Sequence, residues 1–235
     1  MTFGVLALLF LVVLAAAFVQ GASGMAFALL FAPVAGLIAA DLVPVAVLAM
    51  MIPLNAFVLW REREHVDRAG VGWVSLTRVL CTPIGLWVLV AVPQDRLGLL
   101  IGGSTVLAAL VSLLAPDFSP GRAVYLGAGA VTAVTETATG VGGPPLALAY
   151  QHRPAPELRA TVAACFLVGE IVSVALLLVQ GKGHSSSLQG ALILMPALVL
   201  GLWASSRVHQ RIPSSKLRMF VLVFAVVSGL LLMVR

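Results

Sequence analysis

Apolar residues occur along this chain in long runs that short polar connectors separate. Long runs with few charges are typical of helices that cross a lipid bilayer. The run at 144–150 differs, because seven helical residues rise only about 10 Å, a third of the hydrocarbon core, and it therefore predicts a half-helix. Ten apolar segments can be distinguished, at 4–19, 25–40, 44–60, 71–92, 97–114, 124–139, 144–150, 159–179, 188–205 and 217–234.

The composition supports the same interpretation. Of the 235 residues, 61% are hydrophobic and only 10% are charged, which predicts an all-α polytopic membrane protein surrounded by lipid. No positively charged residue precedes the segment 4–19, so we interpret it as part of the mature chain rather than as a signal peptide.

Several classes of function are disfavoured by what the chain lacks. The formal charge is +5, but the basic residues lie in short connectors without interleaved aromatic residues, so nucleic acid is not a predicted partner. Cys81 and Cys165 lie in apolar segments without paired spacing or neighbouring His and Asp residues, and they predict neither a disulfide nor a metal site. No catalytic or phosphate-binding motif is present, so we expect no enzyme activity, no catalytic residues and no cofactor.

The distribution of Lys and Arg predicts the topology. Three basic residues (Arg96, Lys182 and Arg235) fall on one side of the membrane, and ten fall on the other. By the positive-inside rule, the richer side is cytoplasmic and both termini lie outside. The ten are Arg61, Arg63, Arg68, Arg122, Arg153, Arg159, Arg207, Arg211, Lys216 and Arg218.

The chain repeats itself once. The Gly-Ala-Ser-Gly stretch 21–24 matches Gly-Val-Gly-Gly at 140–143 at an offset of 119, and Pro93 matches Pro213 at an offset of 120. The halves are 1–116 and 117–235, and together they form one membrane domain. Because each half holds five segments, an odd number, the second half lies upside down relative to the first, as in many secondary transporters.

The two Gly-rich stretches break the helices at membrane depth. Irregular backbone is tolerated there only where protein buries it or where it lines an aqueous cavity. Each stretch therefore predicts a hairpin tip, and the helix that starts at each tip points its free N–H groups and positive dipole end into an anion site. A packing role for the glycines is the alternative. The tip residues assigned to substrate binding are Gly21, Ser23, Gly24, Gly140, Gly142 and Gly143.

Three charged side chains lie within apolar segments, and each is a candidate for function because a charge in lipid is costly. Glu136 lies one helical turn before the second tip, with Thr132, Thr135, Thr137 and Thr139 around it, and we expect it to carry a proton. Glu170, about 16 Å deep in its segment, is the second proton-coupling candidate. For both, a neutral acid hydrogen-bonded for packing is the alternative.

Arg78 is the third charge, and its long side chain leaves three interpretations. It reaches the headgroups by snorkelling, it holds an oxyanion, or it pairs with one of the two glutamates. Asn55 and Gln20 are further polar candidates for substrate binding, with a structural role as their alternative.

The two halves, their Gly-rich breaks, the basic connector after Trp60 and the Pro-x-x-x-Leu entry to the last segment of each half together resemble the sulfite exporter TauE/SafE family of bacterial membrane transporters. The resemblance covers essentially the whole chain. It implies transport of sulfur-containing anions, such as sulfite or small organosulfonates, across the bacterial inner membrane, with export the favoured direction, without ATP and with a link to proton movement. The break at Gly142 to Pro145 departs from the Gly-Gly-Gly-Pro run common in the family, which leaves the exact substrate open.

Two other classes of function stay open at this stage. One is a transporter or channel for a cation or neutral solute that uses Glu136 and Glu170 as ligands. The other is a non-transporting membrane scaffold that binds another membrane protein through small-residue faces. A homodimer is compatible with the sequence.

Overall fold

The computed structural model describes residues 3–93, 96–114, 121–150, 153–182, 185–208 and 214–234, without the side chains of 208 and 214–218. The basic residues Arg211 and Arg235, and Pro213 of the repeat, lie outside the described residues. The described residues form ten α-helices and two short 3₁₀ helices, Ala40–Leu42 and Arg63–His65. The helices are α1 Phe3–Ser23, α2 Phe27–Ile38, α3 Val45–Glu62, α4 Arg68–Ala91, α5 Leu97–Leu114, α6 Arg122–Thr139, α7 Gly143–Tyr150, α8 Ala155–Val179, α9 Ser185–Val208 and α10 Ser214–Val234.

These helices confirm the all-α polytopic class. Six of them are long and apolar enough to cross a membrane. The eight-residue α7 confirms the predicted half-helix. Its counterpart α2 is also short, because its 12 residues rise only about 18 Å.

The helix contacts are those of a repeated unit. Helix α1 packs along α9, and the equivalent pair α6 and α4 packs in the same way. Helix α3 packs on α8, and α5 on α10, so each of these helices meets its own counterpart. This pattern is unchanged when the two halves are exchanged, as internal two-fold symmetry requires.

Close-packed glycines fix the register of the repeat. A Cβ atom at Gly85 of α4 would lie 2.9 Å from the Ala133 carbonyl oxygen of α6, and one at Gly201 of α9 would lie 2.9 Å from the Ala17 Cβ of α1. Both the glycines and their partners are 116 residues apart in the chain. The offset of 119 predicted from the tips is therefore wrong by three residues, because Gly24, and not Gly21, is the counterpart of Gly140.

The directions of the helices show that the repeat is inverted. Gly24, after α1, lies against Arg159 near the start of α8, whereas Gly140, after α6, lies against Val47 near the start of α3. Helices α3 and α8 run antiparallel, since Glu62 at the end of α3 pairs with Arg159. The equivalent helices α1 and α6 therefore end toward opposite faces of the molecule.

The half-helices lie inside the bundle, and the longer helices surround them. Seven of the eight residues of α7 and eight of the twelve in α2 are buried. The outer helices expose large apolar side chains such as Trp87 and Trp203, as helices facing lipid do. The irregular backbone at the two tips is thus enclosed by protein, which is the condition for a broken helix at membrane depth.

Candidate functional site

Both tips begin with the same backbone turn. Gly24 and Gly140 have φ of +89° and +77°, and each donates its N–H to the carbonyl four residues earlier, at 2.7 Å in both cases. Glycine adopts this left-handed conformation without strain, and it ends a helix in this way. The first break therefore starts at Gly24 and not, as predicted, at Gly21, which lies inside α1.

The chain doubles back closely after Gly140. The Gly142 carbonyl accepts a hydrogen bond from Thr132 Oγ1 at 3.1 Å. A Cβ atom at Gly142 would lie 2.7 Å from the Glu136 Cβ, so glycine is needed for this close approach. The break thus holds the start of α7 alongside α6.

The two tips meet, as the inverted repeat predicted. A Cβ atom at Gly143, the first residue of α7, would lie 3.0 Å from the carbonyl oxygen of Met25, which follows the first tip. Ser23 Oγ accepts a hydrogen bond from the Met25 N–H at 3.4 Å. Gly21 lies apart from this contact, because its Cα faces Ser205 of α9.

Equivalent residues behave differently in the two repeats. Gln20 and Glu136 both lie four residues before the tip glycine. Gln20 satisfies its own tip, since Nε2 donates to the Gly24 carbonyl at 3.1 Å and Oε1 accepts from the Phe27 N–H at 2.8 Å. Glu136 accepts a charged hydrogen bond from Arg78 Nη2 of α4 instead.

Arg78 is fully buried, which excludes snorkelling. Helix α4 begins ten residues earlier, at Arg68, so Arg78 lies about 15 Å along it. The guanidinium lies over the Phe166 ring, with its Cζ 5.4 Å from the ring centroid. It also rests on the Cα of Gly169, where any larger residue would overlap it. The predicted pairing of Arg78 with a glutamate is therefore confirmed for Glu136.

Glu170 and Asn55 join the site where α3 crosses α8. Asn55 Nδ2 donates to Glu170 Oε1 at 2.7 Å, and Asn55 Oδ1 accepts from Gln20 Nε2 at 3.3 Å. All three side chains are buried. A continuous polar path thus runs from the first tip to Glu170, which adjoins Gly169 beneath the Arg78 guanidinium.

The threonines around Glu136 have other partners. Thr132 bonds to Gly142, Thr137 Oγ1 and Ser173 Oγ lie 2.8 Å apart, and Thr139 donates to a carbonyl of its own helix. Among the described residues none of the four predicted hydroxyls hydrogen-bonds to Glu136. Arg78, and no threonine, is therefore the partner of Glu136, and the assignment of Glu136 to proton transport stays a prediction.

The charged cluster keeps unused hydrogen-bonding capacity. In the described part of the chain, Arg78 Nε, Arg78 Nη1, Glu136 Oε1 and Glu170 Oε2 are buried without a partner. An unsatisfied buried donor or acceptor costs about 1–3 kcal/mol, and more for a charged group. Donors and acceptors left unsatisfied at one place are what a site for an anion and for exchangeable protons would hold. No group of three or more His, Cys, Asp or Glu side chains in that part of the chain is placed to hold a metal ion.

Two cavities lie toward opposite ends of the bundle, and the residues that line them do not include Arg78, Glu136 or Glu170. One of about 200 Å³, at the Arg-rich end, has residues of both tips in its wall, including Ser23, Met25 and Pro144. The other, of about 640 Å³, lies toward the opposite end and is lined by Asp41, Lys182 and the start of α3. Ala22 lines the first and Ala138 the second, and these residues are 116 apart, so equivalent positions just before the two tip glycines each contribute to one cavity.

Some neighbours of the site were not predicted. Arg159 and Glu62, which lie in or beside the first cavity, were interpreted only as connector charges or not considered. Arg159 lies in the first turns of α8 and Glu62 in the last turn of α3, and this position was the only indication of them in the sequence. They were missed because a charge at a helix end looks, in the sequence, like a connector charge. Gly169 and Phe166 contact the Arg78 guanidinium, and nothing in the sequence indicated this role for them.

Comparison with known proteins identifies the family. The family model described as "Sulfite exporter TauE/SafE" matches residues 9–232, nearly the whole chain. No curated protein and no solved structure matches the chain. With two tips in contact and a buried charged cluster beside them, this multi-pass membrane protein belongs to the sulfite exporter TauE/SafE family.

Proposed function

We propose that the chain exports small sulfur oxyanions, sulfite or an organosulfonate, through the space between the two tips, and that Glu136 and Glu170 move protons with them. Membership of the family makes the chain a membrane transporter of sulfur anions such as sulfite. The direction, the proton coupling and the site are our proposal. The observation that carries it is the buried cluster of Arg78, Glu136 and Glu170, whose donors and acceptors are only partly used.

The charge of the cluster links the anion to protons. With both carboxylates ionised, the cluster carries one net negative charge and repels an anion. One proton makes it neutral, and two make it positive. Because charges interact strongly where water is excluded, an anion binds to Arg78 only after at least one carboxylate is protonated. Anion and proton then move in the same direction, and an excess of the anion inside the cell drives export.

Arg78 contributes more to binding of the anion than the N-terminal N–H groups of the two short helices do. Two prolines, Pro144 and Pro145, remove two of the N–H groups in the first turn of α7. At the first tip, the Phe27 N–H already donates to Gln20. The guanidinium stays ionised and has two unused nitrogens, Nε and Nη1, so it is the stronger donor to an oxyanion.

The two cavities provide access to the cluster from alternate sides. Both repeats contribute to each cavity, and the two cavities lie toward opposite ends of the bundle. Rocking one repeat against the other around a fixed site is how inverted-repeat transporters expose that site to each side in turn. We place the Arg-rich end on the cytoplasmic side of a bacterial inner membrane, with both termini on the outer side.

Ligand-dependent unfolding tests this proposal. The purified protein in detergent is heated with sulfite, sulfoacetate, taurine, sulfate, chloride or common cations at fixed ionic strength. A ligand specific for the folded state stabilises it by about 2.7 kcal/mol at a hundredfold excess over Kd. We expect sulfite or sulfoacetate to raise the melting temperature selectively. Stabilisation by cations alone would contradict the anion site and favour Glu136 and Glu170 as cation ligands.

A further inference from the structure

The wall of the cavity at the Arg-rich end contains two arginines, Arg153 and Arg159, apart from the central Arg78. Arg159 is 7% exposed and forms part of the wall of this cavity, together with Ser23 of the first tip and Arg153. It lies against the first tip, because Gly24 packs on its side chain, with a Cβ atom at Gly24 placed 2.9 Å from the Arg159 Cγ. An anion in this cavity therefore has Arg159 in the wall beside it.

The Arg159 guanidinium is held by one nitrogen and keeps the others available. Its Nε donates to both carboxylate oxygens of Glu62, at 2.9 Å each. Within the described residues its two Nη nitrogens have no hydrogen-bond partner, and they are not among the polar atoms sealed from water. A guanidinium can make five N–H bonds, and its outer pair forms the fork that fits an oxyanion. Arg159 thus has donors available at a cavity wall.

Glu62 is the internal competitor for these donors. Its carboxylate presents the same chemistry, charged oxygens, that a sulfite or sulfonate group presents. Glu62 also pairs with Arg61 at 3.1 Å, and Arg61 Nη2 donates to the Gly21 carbonyl of α1 at 2.7 Å. The pair of Glu62 and Arg159 therefore connects the end of α3, the start of α8 and, through Arg61, the helix that leads to the first tip.

We propose that Arg159 is a recruitment site for the sulfur oxyanion, which binds through the two Nη nitrogens and competes with Glu62 for the guanidinium. When the anion arrives, Glu62 loosens from Arg159, and the link between α3 and α8 beneath the first tip weakens. The anion then moves on to the cluster at Arg78. This inference rests on the proposed transport of a sulfur oxyanion and adds a residue that selects and admits it.

The kinetics of three variants test the competition. Uptake of a radiolabelled sulfonate, sulfoacetate, into proteoliposomes gives KM and kcat at constant salt, with protein inserted in one orientation. We expect Arg159→Gln to raise KM about tenfold or more, since a charge-assisted hydrogen bond is lost, while kcat falls less because Arg78 is unchanged. Arg159→Lys keeps the charge but loses the fork, so we expect its KM to lie between those of the wild type and Arg159→Gln. Glu62→Gln weakens the competitor and lowers KM several-fold.

Opposite signs distinguish recruitment from a structural role. If the ion pair serves only to hold the helices together, Arg159→Gln and Glu62→Gln both lower kcat and the melting temperature. In that case the two variants do not change KM in opposite directions, and this result would overturn the proposal. Arg63→Gln is the matched control, because it removes an exposed charge of the same connector outside the cavity wall, and it should leave KM within about twofold. Folding of each variant is checked by size-exclusion chromatography and its melting temperature.

An anionic lipid headgroup carries a phosphate of similar chemistry and must be distinguished from the free anion. The sulfoacetate-dependent rise in melting temperature is measured with and without added phosphatidylglycerol. We expect the rise in both cases and a smaller rise in Arg159→Gln at the same sulfoacetate concentration. If phosphatidylglycerol itself shifts the wild type through Arg159 and eliminates the sulfoacetate response, the site binds lipid and the proposal fails. A wild type that neither binds nor transports any sulfur oxyanion would instead refute the proposed function.

Discussion

At the scale of single residues, the pairing of Arg78 with Glu136 determines the chemistry of the site. Both side chains are fully buried, and Gly169 and Phe166 fix the guanidinium against α8. Removing one partner of a buried pair leaves an uncompensated charge and typically costs 3–5 kcal/mol. The pair is therefore sensitive to substitution even apart from transport.

Substitution of Arg78 tests its role as the fixed positive charge. We expect Arg78→Gln to lower sulfoacetate uptake at least about a hundredfold, because the anion loses its only ionised donor at the centre. Arg78→Lys keeps the charge but not the planar fork and should recover only part of the activity. The double variant Arg78→Gln/Glu136→Gln is the control for folding, since it removes both partners of the ion pair together. A double variant with wild-type uptake would contradict the assignment.

The three charged residues of the cluster could be identified from the sequence, but their pairing could not. A charge in an apolar segment is costly wherever it points, so Arg78, Glu136 and Glu170 were identifiable without a structure. The pairing was not, because Arg78 and Glu136 are 58 residues apart and α4 could have turned its charge toward either glutamate or toward the headgroups. Only the packing of α4 on α6 and α8 decides among these.

At the scale of elements, the two short helices and their tips position the site. The half-helix α7 was predictable, because a Gly-rich turn followed by two prolines stops one helix and starts another. The first tip was predicted three residues too early. A helix tolerates a glycine such as Gly21 where another helix packs closely, and the sequence 21–24 contains both that glycine and the true break at Gly24.

Enlarging Gly143 tests whether the tips must meet. We expect Gly143→Leu to abolish transport in a protein that still folds, because its Cβ would lie 3.0 Å from the Met25 carbonyl oxygen and the rest of the side chain would push the tips apart. Gly127→Leu on α6 is the matched control, since that position is exposed and has no atom within 4 Å of an added Cβ. Uptake in proteoliposomes is the measurement, and full uptake by Gly143→Leu would remove the contact from the mechanism.

At the scale of the whole molecule, the inverted repeat places the equivalent residues Ala22 and Ala138, just before the two tip glycines, in cavities toward opposite ends of the bundle. Its existence was predictable from five segments per half. Its register was not, because the halves share few side chains, and the equivalence of Gly85 with Gly201 appears only where each packs on its partner helix. Gln20 and Glu136 occupy equivalent positions, but only Glu136 is charged, so the symmetric fold carries this charge in the second repeat alone.

Labelling of single cysteines tests the membrane orientation. The native thiols, Cys81 and Cys165, are first replaced by serine and alanine. We expect Glu64→Cys, in the Arg-rich connector, to react with a membrane-impermeant maleimide only after the cells are permeabilised, and Lys182→Cys to react in intact cells. The reverse pattern would place the Arg-rich cavity outside and invert the proposed direction of entry.

The most direct test of the central claim is the movement of protons with the anion. A sulfoacetate gradient is imposed across proteoliposomes that contain a pH-sensitive dye, at zero membrane potential. A sulfonate is used because it takes up no proton near neutral pH, whereas sulfite interconverts with bisulfite there and would carry protons itself. We predict that inward flow of sulfoacetate acidifies the lumen in the wild type, and that Glu136→Gln loses this acidification. Sulfoacetate uptake by the wild type without a change in internal pH, or unchanged acidification by Glu136→Gln, would contradict the account.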